Sequence, residues 1–468
     1  MLVQEAQPCY SIQYNKRSLL VSFLFMLNLA SMPLKAYFSE PLPWIRGLTS
    51  LECDINNLNC SESILTFFHN LTHFTAPGEH VFITPTLALF QVSLPPIQDS
   101  DASLYVSQMP FAIFYTRQQN RQAMAIANRQ SNVSEFQAIS SFQFLGLDIA
   151  RCVFWATESV NGNFIYAGHI LIQTSITWLG FKFVFRLCLT AYIIWCMWNS
   201  YYRHYTHLAT NLCLYGVKDD PKVYEFEIIV GDPTSIILLN PVVSALFVVD
   251  FWISADIVAK ALFDIAQLVG TTEFFFAYLY LSRTVWFAYG TLSIVSQLLK
   301  KLRCEKYFHG IDPTWTAIGV ATIAGSLTYL QAHIKFFVQI YNYLFTFMIN
   351  SDNAIESSLS ATLYTFTIGI LPAMFGFASH DQIHCQWLNV KAKRQMEIPV
   401  HPSSYLNNGI KNRVAISLSL LSLENEQIIS AGGSIYRLFK YNNKFKKHLG
   451  LSQRDADCYI KWNSSQSQ

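Results

Sequence analysis

The chain has 468 residues, 52% of them hydrophobic and only 13% charged, and its mean hydropathy is positive. That balance is too poor in charge for a typical soluble protein of this length and points to an integral membrane protein. The net charge of +2 says little by itself, and ten cysteines are too few for a disulfide scaffold. Thirty-six Phe, 24 Tyr and 10 Trp suit a bundle whose helix ends sit in the lipid interface.

Residues 1–17 read as a cytoplasmic N-terminus, and Ser18–Met32 as the first apolar run, closed by Pro33. The run is as short as a signal-peptide core, with cleavage conceivable after Ala30 or Ala36. A leader containing Glu5 and Pro8 is long for a signal peptide, which favours retention as a signal anchor. Lys16 and Arg17 hold the N-terminal side in the cytoplasm.

Residues 33–165 then form an exoplasmic domain, read as small and α+β or β-rich. It carries three glycosylation sequons, at Asn59, Asn70 and Asn132. Cys53 and Cys60 bracket a short loop able to close a disulfide in an oxidising space, leaving Cys152 over. Alternation over Val81–Val92 and Leu104–Val106 predicts strands, with Pro85 and Pro95-Pro96 as breaks.

Residues 166–378 read as a bundle of five helices, at about 170–198, 233–268, 273–299, 313–349 and 355–378. With the first run this makes six spans and an all-α membrane bundle. Lys182 and Arg186 interrupt the first of the five at i, i+4, so both snorkel or face protein. Asp232-Pro-Thr and Asp312-Pro-Thr place an N-cap and a first-turn proline before two runs of about 36 residues each. Such runs exceed a bilayer core by roughly 20 Å, so they tilt, kink or extend, with Pro241 and Gly325 as the expected break points. The last helix is rich in hydroxyls and is expected to break at Pro372. The basic loop Lys300–Lys306 and the tail 379–468 belong inside, the uncharged turns near 269 and 350 outside, so both termini are cytoplasmic. In the tail, Ser434–His448 is basic and aromatic, suited either to an anionic leaflet or to solvent.

The stretches Val230-Gly-Asp-Pro-Thr-Ser-Ile-Ile-Leu-Leu-Asn-Pro, Leu246-Phe-Val-Val-Asp-Phe-Trp and Tyr280-Leu-Ser-Arg-Thr-Val-Trp resemble an uncharacterised family of oomycete multi-pass membrane proteins. The resemblance covers about residues 167–377, implies the membrane bundle, and brings no binding residue with it. In outline the chain is also similar to polycystin- and mucolipin-type channels. It departs from them at the short Asn350–Ile355 turn, which has no room for a pore helix and filter.

Ionisable residues inside the apolar runs are the candidate site. Arg283 is the only residue charged at neutral pH between Phe274 and Leu299, and the preceding run carries Asp250, Asp256, Lys260 and Asp264. Such residues face partners rather than lipid. Asp256, Lys260 and Asp264 share one helical face. If the hairpin turns near Gly270, residues at equal depth have numbers summing to about 540, which pairs Arg283 with Asp256. Asp250 then has no evident partner. The seam supports a transporter or ion pathway for a small solute or ion. The alternative is a receptor-like or scaffolding protein whose exoplasmic domain binds a ligand, with the charges as a clamp.

His69 and His73, with His80 nearby, and the group His380, Asp381, His384 and Cys385 have ligand-like spacing, but a polar surface explains each more simply. No metal and no cofactor is expected. No HExxH, GxSxG, P-loop or GxGxxG occurs, so no catalytic residue is assigned and an enzyme is the weakest reading. The lipid bilayer is the expected partner, nucleic acid is not, and the membrane is the cell surface or an internal one.

Overall fold

The computed structural model describes residues 11–14, 16–44, 80–84, 87–97, 102–129, 135–158, 162–172, 175–203, 205–206, 209–210, 213, 225–230, 233–238, 240–266, 270–302, 308, 311, 313–345, 349–350, 354–391, 430–431, 434–435 and 437–440. Asn59, Asn70, Asn132, Cys53, Cys60, His69, His73, Asp232 and Asp312 lie outside these residues. Helix outweighs strand among the regular elements, and a mixed sheet forms a second layer. Ile176–Tyr202 and Ser358–Ala378 are each long and apolar enough to cross a membrane, and a bent helix pair would make a third.

Strand β1 (Ser11–Tyr14) precedes α1 (Lys16–Ala30). The helical path does not stop at Pro33. Ser31 N–H donates to Leu27, Lys35 to Ser31 and Glu40 to Ala36, and Pro33 opens a 3-10 helix over Pro33–Phe38. The helical path therefore runs on past residue 33, where the exoplasmic domain was expected to begin. Ala36 packs with Ile257 and Leu281 in the bundle, and Leu29 and Ala30 with Leu189 and Ile193.

The sheet domain is built from β2 (His80–Thr84), β3 (Leu87–Leu94), α2 (Ala102–Ser107), α3 (Arg117–Ala127), β4 (Glu135–Phe144), β5 (Leu147–Glu158) and β6 (Phe164–Ile172). Leu104–Val106, expected as a strand, lies in α2. These three residues are too few for alternation to distinguish strand from helix. Thr116 caps α3 reciprocally with Gln119. Cys152 is a free, fully buried thiol, pushed up by burial alone.

Helix α4 (Ile176–Met197) follows β6 at once and continues through a π-turn to Tyr202. Leu179, Lys182, Arg186, Leu189, Ile193 and Cys196 form its buried stripe, at helical spacing. Next come β7 (Glu225–Ile229), α5 (Thr234–Leu238), α6 (Pro241–Trp252) and α7 (Ala255–Ala266). Asn240 caps α6 through Val242 and Val243, so the chain does break at Pro241. A second break, bending the path by 73°, falls between α6 and α7. α8 (Thr271–Leu281) is joined to α9 (Val285–Leu302) by a 3-10 turn at Ser282–Thr284.

The expected 313–349 helix is two, α10 (Pro313–His333) and α11 (Lys335–Phe345). α10 runs unbroken through Gly325, against which the Tyr278 ring packs so closely that a Cβ would lie 2.0 Å from it. That glycine serves close approach, not a kink. Strands β8 (Ile349–Asn350) and β9 (Ala354–Glu356) lead into α12 (Ser358–Lys391), which passes through Pro372 without a break and starts later than expected. α12 also carries positions 380–385.

Strands β8 and β9 join the sheet domain, whose order is β2-β3-β6-β5-β4-β9-β8. β9 pairs parallel to β4 and the β2–β6 neighbours are antiparallel. α7 lies under this sheet. Phe263 stacks on Phe111 at 3.8 Å, and Ala259, Phe263 and Ile355 share the sheet's apolar core. The tail contributes β10 (Ser430–Ala431), β11 (Ser434–Ile435) and β12 (Arg437–Lys440). β1, β7 and β12 form one small sheet, which gathers the N-terminal segment, the segment after α4 and the tail.

Candidate functional site

Three cations and three carboxylates meet where the 3-10 helix, α4, the α6–α7 bend and the α8–α9 joint converge. Arg186 is the hub. Its Nη1 and Nη2 donate to the two Glu40 oxygens at 2.7 and 2.6 Å, and its Nε donates to Asp250 Oδ1 at 2.8 Å. Nη2 also donates to Ser254 Oγ at 2.8 Å. The guanidinium lies over the Tyr37 ring, 4.9 Å from its centroid. Every guanidinium nitrogen is thereby used, in the fork geometry that suits Arg and not Lys.

Lys182, one turn up the same face of α4, donates to both Asp256 oxygens at 2.9 and 3.0 Å and stands 4.0 Å from Glu40. Asp256 is the second residue of α7, where the helix N-terminus favours a carboxylate. Arg283 sits in the 3-10 turn, pairs with Asp250 Oδ2, reaches Glu40 at 3.5 Å and lies over the Tyr280 ring. Tyr280 Oη–H donates to Glu40 Oε1. Glu40, Arg186 and Asp250 have fully buried side chains, and Arg283 retains 14% side-chain exposure.

The expected Asp256–Arg283 pair does not form. Counting back from Gly270 assumes two straight antiparallel helices, and the 73° bend at Ile253–Ser254 carries α7 off that axis. Arg283 therefore meets Asp250, before the bend, while Asp256, after it, meets Lys182. Asp250, which lacked a partner in the sequence, has two. Lys260 pairs with Asp264 at i, i+4, at 3.4 Å.

Glu40, Ser254 and Tyr280 were not anticipated. The charge count gave no signal for Glu40: the five apolar runs hold five cations (Lys182, Arg186, Lys260, Arg283, Lys335) and five carboxylates (Asp250, Asp256, Asp264, Glu273, Glu356).

No protein-family model matches the chain, and no curated protein or solved structure matches it either.

Proposed function

We propose that the chain is a six-span membrane protein in which the charge cluster is a structural lock. The lock carries an exoplasmic α+β domain that binds a ligand or partner, a receptor-like or scaffolding role. The observation that carries this reading is closure of the network. Glu40, Asp250 and Asp256 are each engaged by a cation inside the cluster and almost fully buried. A solute or proton relay needs a carboxylate that can exchange partners, whereas these are held by several donors at once. Removing either partner of such a buried pair leaves an uncompensated charge, which makes the cluster a fastener between elements distant in sequence.

The six-span reading has its own support. The spans are α1 with its 3-10 extension, α4, α5–α6, α8–α9, α10 and α12. Trp178 and Trp198 on α4 are both exposed and 20 residues apart, about 30 Å along the helix, matching a core bounded by two aromatic belts. Between them Phe181, Val184, Leu187, Ile194 and Trp195 face outward. The small sheet gathers residues 11–14, 225–229 and 437–440 at one end, as an even number of spans requires, and β8–β9 join the sheet domain at the other.

The test is Ser254→Cys, a near-isosteric change at the cluster's centre, treated in membranes with a small charged thiol reagent and read by peptide mass spectrometry. A lock leaves this cysteine unmodified until the protein is denatured. Modification in the native membrane from either side would favour the solute pathway instead.

A further inference from the structure

The hairpin joining β4 and β5 ends in an apolar tip that nothing among the described residues covers. Leu145 and Leu147 are 65% and 67% exposed on either side of Gly146. Leu145 and Gly146 have φ of 53° and 75°, so the two-residue turn is of the type that ordinarily selects Asn or Gly at its first position. A leucine there is disfavoured both by its backbone and by its exposure to water.

The register fixes where the tip points. Ala150 of β5 is paired with Ile172, the last residue of β6, and α4 starts four residues later. Leu147 lies three residues beyond Ala150, so the tip overhangs the end of β6 by about 10 Å on the side from which α4 departs. Three further ties hold it there. Phe144 packs edge-on against Trp252 at the end of α6, with centroids 5.8 Å apart. Glu356 accepts from Leu145 N–H and Gly146 N–H at 3.1 and 2.8 Å and from Ser358 N–H, the first residue of α12, at 3.0 Å. Ser357 donates from both its backbone N–H and its hydroxyl to Gln143 O at 3.0 Å. The tip is thus tied to the ends of two helices that the six-span reading places in the bilayer.

We propose that the Leu145–Gly146–Leu147 tip is a wedge that inserts into the exoplasmic leaflet, its partner being the boundary between lipid headgroups and acyl chains. The proposal rests on the six-span reading. Two leucines buried to that depth suit an interfacial contact rather than a spanning one. The adjoining Gln143–Asp148 side-chain bond, at 2.7 Å, closes the hairpin with polar groups at headgroup level. The wedge orients the sheet domain on the membrane and is passed to α12 through Glu356.

The test places a genetically encoded fluorescent amino acid at position 147, 187 or 93 of the full chain, in bilayers containing lipid spin-labelled near the glycerol or mid-chain. All three native side chains are exposed, so each variant should fold. Leu187 lies mid-way between Trp178 and Trp198 on α4, and Ser93, paired with Ile165, lies at the far end of the sheet. The wedge predicts that the shallow label quenches position 147 more strongly than the deep one, that the deep label quenches 187, and that neither reaches 93. Quenching at 187 with position 147 behaving like 93 would overturn the wedge alone. Absence of quenching at 187 would overturn the six-span reading and the wedge with it.

Discussion

The two long apolar runs that open on Asp-Pro-Thr are both interrupted, and they are interrupted in opposite ways. Between α6 and α7 the chain turns by 73° beside a knot of six charged side chains drawn from four places in the sequence. Between α10 and α11 it breaks at Ile334 with none of that cluster nearby, and Ile334, Phe336 and Ile340 face outward. The first break is packed beneath the sheet, where Asp250, Ser254 and Asp256 are buried and each needs a partner within the protein. The second falls at the end of a helix of 21 residues, among exposed side chains. A bend with buried polar groups on both sides requires specified partners, while a break among exposed apolar side chains does not.

The largest effect is expected from removing the hub. Arg186→Met leaves Glu40 and Asp250 short of their shared cation and should destabilise the folded protein by about 3–5 kcal/mol, read as loss of folded yield or unfolding midpoint in detergent. Arg283→Leu should cost less, about 1–3 kcal/mol, because Asp250 keeps Arg186 and the Arg283 side chain is partly exposed. At the uncharged joint the governing term is packing. Gly325→Ala should cost about 1–3 kcal/mol by driving a methyl into the Tyr278 ring, with no effect on the charge cluster.

The smallest expected effect lies at the tether between the hairpin and α12. Partial burial works against the Glu356 charge, but the N–H groups of Gly146, Ser358 and Leu145 and the Ser358 hydroxyl outweigh it and hold the carboxyl below its ordinary range. A lowered folded value means that this contribution is complete above the ordinary carboxylate range and is lost as pH falls through the lowered value. Hydrogen exchange at the Leu145 and Gly146 amides should therefore quicken in acid, and Glu356→Gln should quicken it already at neutral pH. Equal protection in the variant would remove the tether from the account.

Apolar length made the two helices able to cross a membrane, Ile176–Tyr202 and Ser358–Ala378, legible in the sequence, and alternation marked β2 and β3. The junctions were not. Pro33 read as a stop, yet its missing N–H costs nothing at the start of a 3-10 helix, which carries the chain on to Phe38. The bend at Ile253–Ser254 has no Pro or Gly to announce it, and that hidden bend exchanged the partners of Arg283. Pro372 read as a break, but α12 passes through it. Pairing β9 with β4 joins residues more than 200 apart, which no local pattern encodes.

In the lock, Glu40, from the first segment, is fastened to the helices through Arg186. A double-mutant cycle of Glu40→Gln and Arg186→Gln, measured by equilibrium unfolding in mixed micelles, tests it most directly. The lock predicts a coupling energy of about 2–3 kcal/mol, the upper end for residues in contact. Additive effects, agreeing within about 0.5 kcal/mol, would mean that the two side chains do not act on each other and that the lock does not exist.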